Sequence, residues 1–174
     1  MVRTFISIDL PENIKKEIQR IQDLLPDFVG KKTEQENLHL TLKFLGEIDN
    51  EKVEEIKKRL KLVKIKAFEA EVDNLGVFSE KFVRIVWIHL KGAEKLQEEV
   101  DKALKEIFDK EERFMSHITI ARVKSIKNKM DFLSKLKEIK IPKLKFKVDS
   151  FQFKKSELFP QGPRYEVIEG YNLG

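Results

Sequence analysis

Leu38-His39-Leu40-Thr41-Leu42-Lys43-Phe44-Leu45-Gly46 returns later, shortened, as Ser116-His117-Ile118-Thr119-Ile120-Ala121-Arg122. Both stretches set a His and a Thr two residues apart in an apolar alternation, the pattern of a strand with one buried face. Side chains at i and i+2 share a face. His39, Thr41 and Lys43 are therefore expected on one face, and Leu38, Leu40, Leu42 and Phe44 on the buried one. His117 and Thr119 likewise oppose Ile118 and Ile120. Parity sets Arg122 on the face opposite His117, so it reaches the imidazole only if the strand bends, ends or lets the long side chain wrap around. By the same rule Phe44 is a core residue.

Working outward, the flanks repeat as well. Phe5-Ile6-Ser7-Ile8-Asp9-Leu10 matches Ile85-Val86-Trp87-Ile88-His89-Leu90 at an offset of 80, the His-Thr copies match at 78, and Val72-Asp73-Asn74-Leu75 resembles Val148-Asp149-Ser150-Phe151 at 76. Between these segments lie amphipathic helices. Ile14, Ile18, Ile21 and Leu25 predict one over 11–25. Val53, Ile56, Leu60 and Val63 predict a second, capped by Asp49. Leu96, Val100, Leu104 and Ile107 predict a third over 93–108, and Phe132, Leu133, Leu136 and Ile139 a fourth over 128–140. Residues 27–36 are expected to form a polar loop, 144–153 one strand, and Arg164 to Tyr171 a last strand. Each half reads strand, helix, strand, helix, strand. The expectation is a single α+β domain of two related lobes, about 1–81 and 82–174, packed about a pseudo-two-fold axis. That symmetry sets equivalent strands on opposite walls of one cleft and turns two short motifs into one candidate site.

Composition narrows the class. Of 174 residues, 41% are hydrophobic, sufficient for a core, and 37% are charged. Thirty-five Lys and Arg against 30 Asp and Glu give a net charge of +5. This mildly favours a polyanionic partner such as RNA; taken alone, composition fits better the plainer reading of a Lys/Glu-rich solvated surface of the heat-stable kind. There is no cysteine, which excludes disulfides and thiolate metal sites. The amino terminus does not read as a signal peptide. No stretch approaches the roughly 18 apolar residues that span a bilayer. The expected location is the cytoplasm, with no membrane partner, and the expected state is a monomer.

Two histidines and two threonines around one cleft suit phosphoryl chemistry without a metal or cofactor. A neutral imidazole takes a proton from the attacking hydroxyl or water, and a protonated one donates to the leaving oxygen; an imidazole near its ordinary pKa supplies both forms around neutrality. The hydroxyls of Thr41 and Thr119 would donate to non-bridging phosphate oxygens, with Lys43 and Arg122 the nearest cations in sequence. Taken singly, each element has a plainer explanation: a strand His is commonly a surface residue, Thr is an ordinary strand former, and an isolated cation is a solvated one. His89 lacks the following Thr, aligns with Asp9 and is read as structural. The three histidines are not at metal-ligand spacing, and the seven glycines form no phosphate-binding loop.

The paired His-x-Thr motifs resemble the 2H phosphoesterase superfamily, and the wider sequence resembles its RNA 2′,3′-cyclic phosphodiesterase branch, formerly called 2′-5′ RNA ligases. The resemblance runs through Arg3 to Ile8, Asn37 to Glu47, Leu75 to Phe78, Val83 to Trp87, His117 to Arg122, Ser156 to Leu158 and Gly162 to Tyr165, in the expected order. It implies a bilobal α+β fold in which two mainly antiparallel sheets line a positively charged cleft, with helices outside. It implies hydrolysis of an RNA-terminal 2′,3′-cyclic phosphate to a 2′-phosphate without metal. Some members also join or cleave 2′-5′ linkages in tRNA halves. The resemblance makes His39 and His117 the acid-base pair, Thr41 and Thr119 phosphate binders, and Arg122 a further one despite its parity. It leaves open which histidine is the acid. A second class of function, a basic cleft that binds RNA ends or nucleotides without turnover, is separated from the first by whether both imidazoles enter one cleft.

Overall fold

The computed structural model describes residues 1–174. Its elements are β1 (Val2–Asp9), α1 (Glu12–Asp23), β2 (Val29–Lys32), a 3-10 turn (Gln35–Asn37), β3 (His39–Ile48), α2 (Asn50–Leu60), β4 (Phe68–Val77), β5 (Ile85–Lys91), α3 (Glu94–Leu104), β6 (His117–Ser125), α4 (Lys129–Glu138), β7 (Leu144–Val148), β8 (Ser150–Phe159) and β9 (Gly162–Asn172). The four expected helices form. Asp49 caps α2 by accepting the Lys52 amide at 2.8 Å, and Asn128 caps α4 by accepting that of Asp131 at 3.0 Å. No helix is long and apolar enough to cross a membrane.

Two antiparallel sheets carry the fold, one ordered β3-β1-β8-β9 and the other β2-β6-β5-β4-β7. The trio β3-β1-β8 has the same register as β6-β5-β4. Ile6 pairs with Lys43 and Phe153, while Val86 pairs with Ala121 and Val77. Matched residues again differ by 80, 78 and 76. Each trio takes its third strand from the other half of the chain. The division at residues 81 and 82 therefore describes the sequence repeat and not the sheets. Ala70 pairs antiparallel with its own repeat mate, Phe146. Antiparallel pairing of equivalent residues has a two-fold at its centre, so the pseudo-symmetry axis passes through this pair.

Two expectations are corrected. The strand predicted over 144–153 is two strands in different sheets. Asp149, a poor strand former, breaks it where its mate Asp73 lies in a register irregularity of β4. The loop predicted over 27–36 holds β2 and the 3-10 turn. β2 is exposed throughout and exists because its backbone pairs with β6, a long-range cause that local pattern does not carry. Behind the sheets, α3 packs on β3, α1 on β6 and α4 on β4, over one core of 34 buried residues. The opposite faces of β3 and β6 meet across a cleft.

Candidate active site

The cleft has a volume of about 650 Å³ and is lined by His39, Thr41, His117, Thr119 and Arg122 together with residues that neither motif contains, among them Arg3, Phe5, Ser156 and Tyr165. One cavity thus receives both His-Thr pairs. The two imidazoles are held alike. His39 Nδ1 lies 2.7 Å from the Asn37 carbonyl, and His117 Nδ1 lies 2.7 Å from the Met115 carbonyl. A carbonyl can only accept, so Nδ1 carries the proton in both rings, which leaves Nε2 of a neutral ring as the acceptor. Nε2 of His39 is 2.8 Å from Thr41 Oγ1. With Nδ1 protonated, the hydroxyl is the donor in that bond.

The cations do not follow strand parity, and the cause is one bulge built twice. Between the β1 pairs Ser7–Thr41 and Ile6–Lys43, β3 holds one extra residue, Leu42. Between the β5 pairs Trp87–Thr119 and Val86–Ala121, β6 holds one extra residue, Ile120. A bulge admits one unpaired residue and reverses the alternation beyond it. Leu42 and Lys43 are consequently both buried, as are Ile120 and Ala121. Phe44 and Arg122, each five residues past its histidine, both turn into the cleft. Arg122 thus reaches the cavity through a departure from regular strand geometry.

Lys43 does not line the cleft, which corrects the expectation that it binds phosphate. Its ammonium crosses the back of β3 to Asp101 Oδ1 at 2.7 Å and the Asp109 carbonyl at 2.7 Å, with Glu111 3.6 Å away. The side chains of Lys43 and Asp101 are 3% and 4% exposed, so no phosphate in the cleft has access to it. Phe44, expected in the core, is instead 67% exposed.

The symmetry of the backbone is broken by the side chains. Asp9 sits opposite His39, and its ion-pair partner Lys154 is buried on the same sheet. The equivalent positions hold His89, opposite His117, and Phe78, whose ring meets His117 edge-on at 4.9 Å. His89 itself points its Nδ1 at Asp73, 3.3 Å away. Phe5 and Tyr165 flank the His39 ring at 5.1 and 5.2 Å. Burial is the largest cause that lowers the His39 pKa, to about 4. The Asn37 carbonyl and Asp9 oppose the shift, while Lys154 and His117 add to it. His39 is therefore neutral over the whole physiological range.

Sequence reading gave no role to Asn37, Tyr165 and Arg3, which lie in segments that carry the resemblance, and it missed Gln22. Gln22 is buried on α1 and donates from Nε2 to the carbonyls of Thr33 and Ile120, both at 2.9 Å, which ties down the bulge that aims Arg122. A polar residue on the apolar stripe of the first helix was the available signal.

The sequence matches the family described as LigT like Phosphoesterase over residues 8–87 and again over 89–165. The chain is 38% identical to a protein of Methanocaldococcus jannaschii named RNA 2′,3′-cyclic phosphodiesterase, over 97% of this chain and 99% of that one. It is 35% identical to a protein of the same name from Thermotoga maritima, over 96% and 93%. The crystal structure of TT0787 of Thermus thermophilus superposes with a TM-score of 0.81 at 26% identity, covering 98% of this chain and 97% of that one.

Proposed function

The chain belongs to the LigT-like phosphoesterase family, and from that premise we propose that it is an RNA 2′,3′-cyclic phosphodiesterase, opening a terminal 2′,3′-cyclic phosphate to a 2′-phosphate. The observation that carries this reading is the convergence of two Nδ1-anchored imidazoles and two threonines on one cleft. In the proposed reaction, water attacks phosphorus in line with the 3′ oxygen. His39, neutral in the free protein, takes the water proton at Nε2. His117 gives a proton to the departing 3′ oxygen as the P–O3′ bond breaks. Thr41 exchanges its bond to His39 for one to a non-bridging oxygen, which frees Nε2. Thr119 takes the second oxygen and Arg122 offsets the charge that builds in the transition state. The assignment of His39 as base rests on the asymmetry around it, and the bound phosphate anion raises its pKa toward the useful range. Both histidines come from one chain, so the reaction requires no second subunit.

Each positioned proton transfer contributes about 10² to 10⁴-fold. His39→Ala and His117→Ala should each abolish turnover of an RNA ending in 2′,3′-cyclic phosphate, with EDTA present and the circular dichroism unchanged. The wild-type product should be the 2′-phosphate. Full activity in either variant would end the reading.

A further inference from the structure

The four-stranded sheet presents one cross-strand row to the cleft: Arg3 on β1, Ser156 on β8 and Tyr165 on β9, whose ring reaches back to the His39 imidazole at 5.2 Å. Arg3 pairs with Ser156 and Ser156 with Tyr165, so the three side chains share a face, and all three line the cavity. None of their side-chain polar atoms has a hydrogen-bond or ion-pair partner within the protein, although the chain forms 18 ion pairs elsewhere. Glu47, opposite Arg3 on β3, makes no ion pair with it. Arg122, from the other sheet, is unpaired as well, and it and Arg3 both bear electrostatically on the Tyr165 hydroxyl. Unpaired guanidinium groups beside free hydroxyls form a preorganised anion site.

The Arg3 end of this row stands apart from the His-Thr row, and the Tyr165 ring bridges the two. Arg3 lies four residues along β1 from Ser7, which pairs with Thr41. At about 3.3 Å per residue that is roughly 13 Å of strand, which an Arg side chain partly recovers. Between the rows stand Phe5 and the exposed ring of Phe44, an apolar stretch on which a nucleobase can lie flat. The spacing suits one nucleotide and not a second oxygen of the same phosphate.

We propose that Arg3, with Ser156 and Tyr165, binds the phosphodiester on the 5′ side of the terminal nucleoside, so that the cleft selects the cyclic-phosphate end of a polynucleotide over a free 2′,3′-cyclic mononucleotide. This rests on the phosphodiesterase reading and deepens it. A hydrogen bond to a charged group contributes about 1.5–3 kcal/mol, which corresponds to about 10- to 150-fold.

The test compares Arg3→Gln with wild type on two substrates, a short oligoribonucleotide ending in 2′,3′-cyclic phosphate and 2′,3′-cyclic AMP. The ratio of their kcat/KM values should fall at least tenfold in Arg3→Gln, through KM for the oligonucleotide, and Arg3→Lys should restore part of it. The salt dependence of that KM should flatten by about 0.7 in the log-log slope, the amount expected for one single-strand phosphate. Equal losses on both substrates, or no loss on the oligonucleotide, would overturn the proposal. A wild type that turns over neither substrate refutes the phosphodiesterase reading instead. In that case, binding of the same oligonucleotide still judges Arg3: undiminished affinity in Arg3→Gln overturns the subsite.

Discussion

Replacing Lys43 by Met separates a structural cation from a catalytic one. Lys43 is a few residues from His39 in sequence, yet its ammonium is buried behind β3 against Asp101. Removing one member of a buried ion pair costs about 3–5 kcal/mol, because the other charge is left uncompensated. Here Asp101 keeps two donors, Gln97 Nε2 at 2.9 Å and the Glu111 amide at 3.0 Å. Met also fills much of the Lys volume. The loss should therefore fall near the lower limit, about 3 kcal/mol. For a chain of this size about 1 kcal/mol moves Tm by 2–4 °C, so Lys43→Met should melt roughly 6–12 °C lower. The double variant Lys43→Met/Asp101→Leu should regain most of that, since an apolar pair needs no desolvation of charge. Thermal and urea unfolding measure the stability, and turnover per folded molecule measures the chemistry, which should stay within about twofold of wild type in both variants. A Lys43→Met protein that melts normally but loses hundredfold in turnover would refute the buried-pair argument and return Lys43 to the phosphate.

Three further perturbations test the asymmetry and the bulges. The folded-state pKa of His39, about 4, lies below the ordinary histidine value of about 6.5, so the unfolded chain binds the extra proton first. Stability should be full above pH 6.5 and fall as the pH drops toward 4, by at most about 3 kcal/mol and less after allowance for solvent contact; pH-dependent melting of wild type should be steeper there than that of His39→Gln. Lys154→Met removes a cation that holds His39 neutral and frees Asp9 beside it. The acid limb of kcat/KM should move to higher pH, and a rise of about one pH unit would roughly halve the activity at pH 5; an unmoved limb would exclude His39 as the base. Gln22→Leu leaves the Thr33 carbonyl without its donor and the Ile120 carbonyl with the Thr33 amide alone, costs about 1–3 kcal/mol, and should lower activity through Arg122 rather than through either histidine, read as a rise in KM that added salt no longer enlarges.

The apolar alternation and the repeat were legible because both are local. His39, Thr41, His117 and Thr119 precede the bulges, so parity held up to them. It failed two residues later, at Lys43 and Ala121. Nothing in Leu42-Lys43 or Ile120-Ala121 announces an unpaired residue, because the extra residue is defined by the neighbouring strand and, at Ile120, by Gln22 on a helix 98 positions away. The misplacement of Lys43, Phe44 and Arg122 is thus one error with one cause. A comparison of the copies contained a clue to it: equal spacing pairs Lys43 with Ala121, and an alanine in a strand core is a poor symmetry mate for a phosphate-binding lysine. Tyr165 and Arg3 were illegible for another reason. They enter the cleft from strands at the two ends of the chain, and only the exchange of β8 into the first sheet brings β9 in, with Tyr165 beside His39 and its row mate Arg3 on β1.

The same exchange bears on how a symmetric fold performs an asymmetric reaction. Hydrolysis needs one imidazole without a proton and one with it at the same pH, and two identical half-sites would supply neither preference. The backbone supplies identity: the same carbonyl anchor, the same bulge and the same cross-strand neighbours. The β1 and β8 strands then supply the difference at two positions, where Asp9 and Lys154 stand in place of His89 and Phe78. Restoring the symmetry there should blur the roles of the histidines while leaving the fold intact, since both positions face the cleft side and not the core. If those residues were exchangeable without effect on the pH profile, the division of labour would have to come from the substrate itself.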